Sequence, residues 1–201
     1  FYPDLKVTPA KGKFFSLSTA QIKNLQALPG IALLSFSIED MALLSNGAEQ
    51  KPATVKGVDN NWFLVSGLDS FLLKGTAHWP VQKGFTPVIL GLSIANSLSV
   101  DVDNAFSGLH LYYPHSGAGM QQDPQSALNR TIAKPQGLFH IQEEIDGKYV
   151  LIPLPDAQQL FERPGSISAI EIKKTTTASE PELKKSIETS LGPGFIVASR
   201  Y

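Results

Sequence analysis

The same short plan occurs at both ends of the chain, and it constrains the fold more than any other feature of the sequence. Near the N-terminus, Leu5 to Thr8 alternates apolar and polar residues as a strand does, and Pro9 through Lys13 interrupts it. Ser18 followed three positions later by Gln21 is a capping-box pattern. Ile22, Leu25 and Leu28 then share one face before Pro29 and Gly30, predicting a helix over 19–28. A long β-compatible run, Ile31 to Leu44, follows. Near the C-terminus, Ile170 and Ile172 share one face of a strand over 168–173, and Ser179 with Glu182 forms a second capping box. Leu183, Ile187 and Leu191 lie at helical spacing, and Gly192, Pro193 and Gly194 separate that helix from a closing strand, Phe195 to Ser199.

Neither unit has enough sheet to cover its own apolar helix face. Packed side by side, the two make a ferredoxin-like α+β layer with the intervening chain inserted between them. The expected organisation is a subdomain built from both termini, 1–58 and 165–201, and an inserted, mostly β subdomain, 59–164. Both chain ends then lie on one small subdomain, as an insertion between two membrane-spanning helices requires. Asn46 and Gly47 predict a tight hairpin turn, and Pro52 in the return strand over 50–58 predicts a sheet edge or a bulge. In the insert, 60–74 holds short helical or turn segments, and a strand over 87–90 enters a helix at Gly91. Strands over 109–113 and 128–141 flank a loop, 115–126, rich in Gly, Ser, Gln and Pro. A strand over 149–153 precedes a helix capped by Asp156.

With 201 residues, 42% hydrophobic and 17% charged, the chain can bury a core and is not of disordered composition. A net charge of −1, with no local run of Lys or Arg, provides no general attraction for nucleic acid or an anionic membrane. The absence of cysteine excludes disulfides and thiolate metal sites. No apolar stretch approaches the length of about 20 residues that spans a bilayer. The chain is expected to be a mature soluble protein or an excised domain.

Tests for chemistry give no catalytic, cofactor or metal residue. His78, His110, His115 and His140 lack metal-site spacing, and alternation turns His110 and His140 towards solvent. Glu143, Glu144 and Asp146 could form a carboxylate pair, but a solvated turn at Asp146-Gly147 is the better account. Ser93 sits at a strand-to-helix junction without the second glycine of a nucleophile elbow, and Gly117 and Gly119 lack the Lys-Ser/Thr of a phosphate loop. What remains is surface. Tyr112, Tyr113 and Pro114 lead into the loop, and aromatic residues beside an adaptable loop are typical of recognition patches. Tyr113, Pro114, Met120, Gln121, Pro124 and Arg130 are the candidate partner-binding residues, with one tyrosine packing inward as the alternative.

Several segments also resemble a known family. They are Pro3 to Pro9 with Lys11-Gly12-Lys13, Leu28-Pro29-Gly30-Ile31, Ser37-Ile38-Glu39-Asp40, Val55 to Asp59, Ile89-Leu90-Gly91, Tyr149 to Leu154, Ser168 to Lys173 and Ser199-Arg200-Tyr201. In this order and spacing they resemble the extracytoplasmic domain of LolC/LolE-like permeases of the FtsX superfamily of ABC transporters, of the Bacteroidetes type. The resemblance implies a MacB-type periplasmic core, with a membrane-proximal Porter subdomain from both termini and an inserted Sabre subdomain. It implies a non-enzymatic domain on the periplasmic side of a bacterial inner membrane, tethered by flanking helices. Its partners would be a second permease subunit and a cytoplasmic ATPase subunit. The carrier in that family is the periplasmic LolA, engaged by a hairpin hook; the matching interval is 113–130, with Arg130 and Lys134 as polar contacts. MacB-like efflux and an FtsX-like role in cell division are the alternatives within the superfamily. A secreted carbohydrate-active enzyme using Glu143 or Glu144 is the alternative outside it.

Overall fold

A computed structural model describes residues 2–80, 84–104, 108–115 and 128–200. Its backbone contacts divide the chain into two compact units, one of 1–38, 58–67 and 165–201, the other of 39–57 and 68–164. Both differ from the sequence boundaries in one respect. The distal part of the first hairpin, 39–57, groups with the second unit, and 58–67 groups with the first. The reason is strand length. β2 (Ile31–Asn46) is long enough to take part in both units, whereas all of β3 (Glu49–Val58) but Val58 is in the second, and the residues after it pack on the first.

In the first unit, β1 (Leu5–Pro9) lies between β10 (Phe195–Ser199) and β9 (Ala169–Lys174), and β9 also pairs with the first half of β2, giving the order β10-β1-β9-β2. All three pairings are antiparallel. Register places Leu5 opposite Ile172, Val7 opposite Ile170 and Val197, and Leu34 and Phe36 opposite Ile172 and Ile170. Directly opposed residues share a face, so these side chains form one apolar layer. Helices α1 (Thr19–Gln26) and α6 (Glu180–Leu191) contact each other, and α6 contacts β10. Their Leu25, Leu183, Ile187 and Leu191 are buried.

The two helix starts that look alike in sequence differ in structure. Ser18 accepts a hydrogen bond from the Gln21 N–H, and the Gln21 side chain accepts one from the Ser18 N–H, completing the capping box. Ser179 makes no side-chain cap bond. The turn after α1 needs Gly30, which has φ +95° and whose absent Cβ would lie 2.9 Å from the Ala178 Cβ.

The other face of the first sheet is covered by α2 (Asn61–Ser66), which packs on β9. Here the strand residues are polar and buried: Ser35, Ser37 and Glu171. Trp62 donates its indole N–H to Glu171 Oε2 at 2.6 Å, and Ser37 donates its hydroxyl to Glu171 Oε1 at 3.0 Å. Asp59 accepts from the Ser35 hydroxyl and the backbone N–H groups of Phe36 and Trp62. Burial still pushes the Asp59 carboxyl above its usual range, these bonds offsetting only part of the desolvation.

In the second unit the strands close on themselves. Going round, β2 pairs with β3, β3 with β8 (Tyr149–Pro153), β8 with β5 (Thr86–Gly91), β5 with β7 (Leu128–Phe139), β7 with β6 (Leu109–Pro114), and β6 returns to β2. Six strands thus form a ring without a free edge. A short strand β4 (Leu72–Lys74) adds beside the end of β7. The ring interior is filled by residues such as Leu44, Val55, Leu109, Leu111 and Ala133, all without solvent exposure.

Two local expectations are corrected here. The strand that carries Pro52 is not an edge strand, since β3 is flanked by β2 and β8. The Thr54 N–H bonds the Lys148 carbonyl, and Pro52 lies two residues earlier on the same backbone side, where its missing N–H removes no bond from the β2 ladder. The hairpin turn is Gly47-Ala48, with positive φ at Gly47 alone; Asn46 remains in β2 and its amide donates to the Leu98 carbonyl.

The remaining helices of the ring unit are short. α3 (Leu92–Ser97) follows β5 directly, α4 (Glu143–Asp146) precedes β8, and α5 (Leu154–Leu160) follows it. Asp156 lies inside α5 and is not its cap, because Pro153 occupies that position and Pro155 supplies the favourable first-turn proline.

Candidate functional site

The hairpin of β6 and β7 carries three of the six candidate residues that can be placed. Its pairing runs from Leu109 opposite Ala133 to Pro114 opposite Leu128, so the two strands stay paired up to the connecting segment. Met120, Gln121 and Pro124 lie outside the described residues.

Tyr113 and Arg130 point to opposite sides of this ribbon. Tyr113 has the parity of the buried Leu109 and Leu111, and its ring lies 4.8 Å from that of Phe161. Its hydroxyl donates to Asp40 Oδ2 at 2.7 Å. Desolvation, then the Asp40 contact, pushes the phenol up to about 12. Tyr113 is therefore the tyrosine that packs inward. Tyr112 faces outward, opposite Leu43 on one side and Arg130 on the other. Leu128, Arg130 and Ile132 share that outward face, and all three are exposed. Pro114, at the end of β6, is exposed too.

Beside this face lies a groove of about 620 Å3. Three separate segments line it: Trp79, Pro80 and Gly84 to Pro87; Arg130 to Ile132 on β7; and Pro153, Asp156 and Gln159. Phe85 is 37% exposed, and the Lys134 ammonium sits 5.2 Å from its ring centre. Burial raises the Asp156 carboxyl above its usual range, while a bond from the Thr86 side chain acts the other way. Sequence patterning missed this groove, because Trp79 and Phe85 lie in a stretch with no helical or strand period. The available signal was two aromatic residues, each next to or near a proline, outside any regular element.

The residues weighed for chemistry are placed as follows. Glu143 and Glu144 are exposed on α4. Asp146 is not part of a solvated turn: it is 1% exposed, it meets His140 Nδ1 at 2.5 Å, and it accepts the Ile141 N–H at 2.9 Å. Its burial follows from close approach, since a Cβ on Gly91 would lie 2.3 Å from the Asp146 carbonyl oxygen. His140 itself is exposed, as alternation predicts. His110 is not fully turned to solvent: its Nδ1 is buried and has no hydrogen-bond partner among the described residues. His115 pairs with Glu162 at 2.5 Å. Ser93 is within α3 and does not have the positive φ that the serine of a nucleophile elbow adopts. Among the described residues no group of three His, Asp or Glu side chains could hold a metal ion, and no helix is long and apolar enough to cross a membrane.

No family model matches the chain. Solved structures do. The periplasmic region of MacB from Actinobacillus actinomycetemcomitans is similar over 98% of this chain and 88% of that one, with a TM-score of 0.68 and 13% identity. The extracellular domain of a noncanonic ABC-type transporter, YknZ, from Gram-positive bacteria is similar over 97% and 99%, with a TM-score of 0.64 and 12% identity. A domain of a protein described as a permease, from Porphyromonas gingivalis, is similar over 99% and 93%, with a TM-score of 0.57 and 12% identity. At these identities the likeness establishes a shared fold, a mixed, sheet-dominated α and β architecture.

Proposed function

We propose that this chain is the extracytoplasmic domain of an ABC-transporter permease, acting by binding and by transmitting motion rather than by catalysis. The observation that carries the proposal is the pairing of β1 with β10, Leu5 opposite Ser199. The chain enters and leaves the first unit on neighbouring strands, the geometry needed by an insertion between two membrane spans. The likeness to the MacB and YknZ domains over nearly the whole chain supports the same reading. In that reading the first unit, with strand order β10-β1-β9-β2, is a ferredoxin-like Porter subdomain beside the membrane. The ring unit is the Sabre. A second permease subunit and a cytoplasmic ATPase are the partners, and the domain lies in the periplasm.

The test uses the absence of cysteine from this chain. In the full-length protein in cells, Lys185→Cys, on the exposed side of α6, should react with a membrane-impermeant maleimide once the outer membrane is opened. Labelling that appears only after the inner membrane is lysed would refute the proposal.

For cargo, the sequence resemblance favours lipoprotein release, with the 113–130 hairpin engaging a LolA-like carrier. Pull-down against the LolA-like protein of the same organism, with the hairpin deleted as control, tests this. Absent or unaffected binding would leave MacB-like efflux or an FtsX-like role in its place, and the fold likeness to MacB is the observation that favours efflux between those two.

A further inference from the structure

We infer that the groove on the ring unit is a binding site for a short saccharide. The inference depends on the groove alone and not on the permease reading. Its volume of about 620 Å3 is within the range of small-molecule sites. Trp79 and Phe85 bring aromatic side chains, the type that stacks on the C–H face of a pyranose ring, into the lining, with the Lys134 ammonium against the Phe85 ring, and Pro80, Pro87 and Pro153 fix the backbone around them.

The polar side chains there are the distinguishing feature. Neither the Arg130 guanidinium nor the Gln159 amide has a hydrogen-bond or ion-pair partner among the described residues. Among the described residues the Asp156 carboxylate is bonded by Thr86 alone, so acceptor sites remain on a half-buried group. Guanidinium, amide and carboxylate are planar, two-pronged groups that match the paired hydroxyls of a sugar.

Other ligand classes fit less well. An acyl chain would desolvate the Arg130 guanidinium without a partner and the Asp156 carboxylate with Thr86 as its one bond among the described residues. A phosphate group would meet the Asp156 charge. An extended peptide could add as a strand only along 128–132, where β7 is paired with β6 alone, and such a strand is held by backbone bonds that leave the side chains of Arg130, Asp156 and Gln159 unused.

Trp79 reports on the site because Trp62, the other tryptophan, is fully buried. The 201-residue chain is titrated with chitotriose and, separately, with the disaccharide of N-acetylglucosamine and N-acetylmuramic acid, following intrinsic fluorescence. A proline-rich decapeptide is the third arm. The expected result is a saturable change with at least one saccharide, with Kd on the order of 0.1–1 mM. Arg130→Ala should weaken it about tenfold or more while retaining the fluorescent reporter, and Trp79→Ala should do the same by calorimetry. Both residues lie outside the ring core, and a thermal melt checks that the variants fold; Lys185→Ala is the remote control. The inference is overturned by no saturable response to either saccharide up to about 10 mM, by affinity unchanged in both variants, or by a saturable response to the peptide alone.

Discussion

Replacing Trp62 with Phe tests whether the polar layer beneath α2 holds that helix on the first sheet. Trp62 is fully buried and its indole N–H donates to Glu171, which is 1% exposed. Both carboxyl oxygens accept, one from Trp62 and one from Ser37, as suits an ionised acceptor. The smaller phenyl ring forfeits roughly 40 Å2 of buried apolar surface, about 1 kcal/mol. The lost hydrogen bond to a charged group adds about 1.5–3 kcal/mol. Trp62→Phe should therefore cost about 2.5–4 kcal/mol, a large share of the 5–15 kcal/mol typical of a native protein. The assay is urea unfolding followed by far-ultraviolet circular dichroism, since fluorescence would lose one of its two reporters. Glu171→Gln alone and the double variant complete a cycle, and the coupling should be about 1 kcal/mol or more. Additivity within about 0.3 kcal/mol, or a Trp62→Phe cost below about 1 kcal/mol, would refute the assignment of that bond as the fixing contact.

Ser18→Ala should cost about 1 kcal/mol in the same assay, whereas Ser179→Ala, with no side-chain cap bond to lose, should stay within about 0.5 kcal/mol; equal costs would contradict the two cap geometries. Gly91→Ala keeps an allowed φ but drives a Cβ into the Asp146 backbone, so a loss of about 3 kcal/mol or more is expected; an unchanged urea midpoint would mean the approach is looser than described. Asp156→Asn tests pH dependence. Because the folded carboxyl titrates above its unfolded value, the native state binds more protons in the window between them, and wild-type stability falls as pH rises through it. The melting temperature of the variant relative to wild type should therefore be highest at neutral pH and shrink as pH falls towards 4, and the opposite trend would refute the sign.

Local signals carried most of what the sequence disclosed. The Ser18–Gln21 box, the stop at Pro29-Gly30 and the spacing of Leu183, Ile187 and Leu191 each act within a turn or two of helix, and each appears where expected. Ser179 shows the limit of such a signal, since the same residue pattern does not specify the side-chain rotamer that makes the bond. Asp146-Gly147 has the dipeptide of an exposed turn, and only the packing of Gly91 against it, from 55 residues earlier in the chain, makes it buried. Ring closure was not legible for the same reason: it depends on Leu43 to Ser45 meeting His110 to Tyr112, a pairing with no local mark. Arg130 was singled out for its place near the loop; its groove partners Trp79, Asp156 and Gln159 come from segments whose meeting is set by the ring.

The position of β1 between β9 and β10 has a consequence for synthesis. Both of its neighbours are encoded roughly 160 or more residues later, and at about 5–20 residues per second a ribosome needs on the order of ten seconds to make them. Leu5 and Val7 have no partner strand during that interval, while every strand of the ring has already emerged by Pro153. The unit that contains β1 is thus the last whose sheet can be completed.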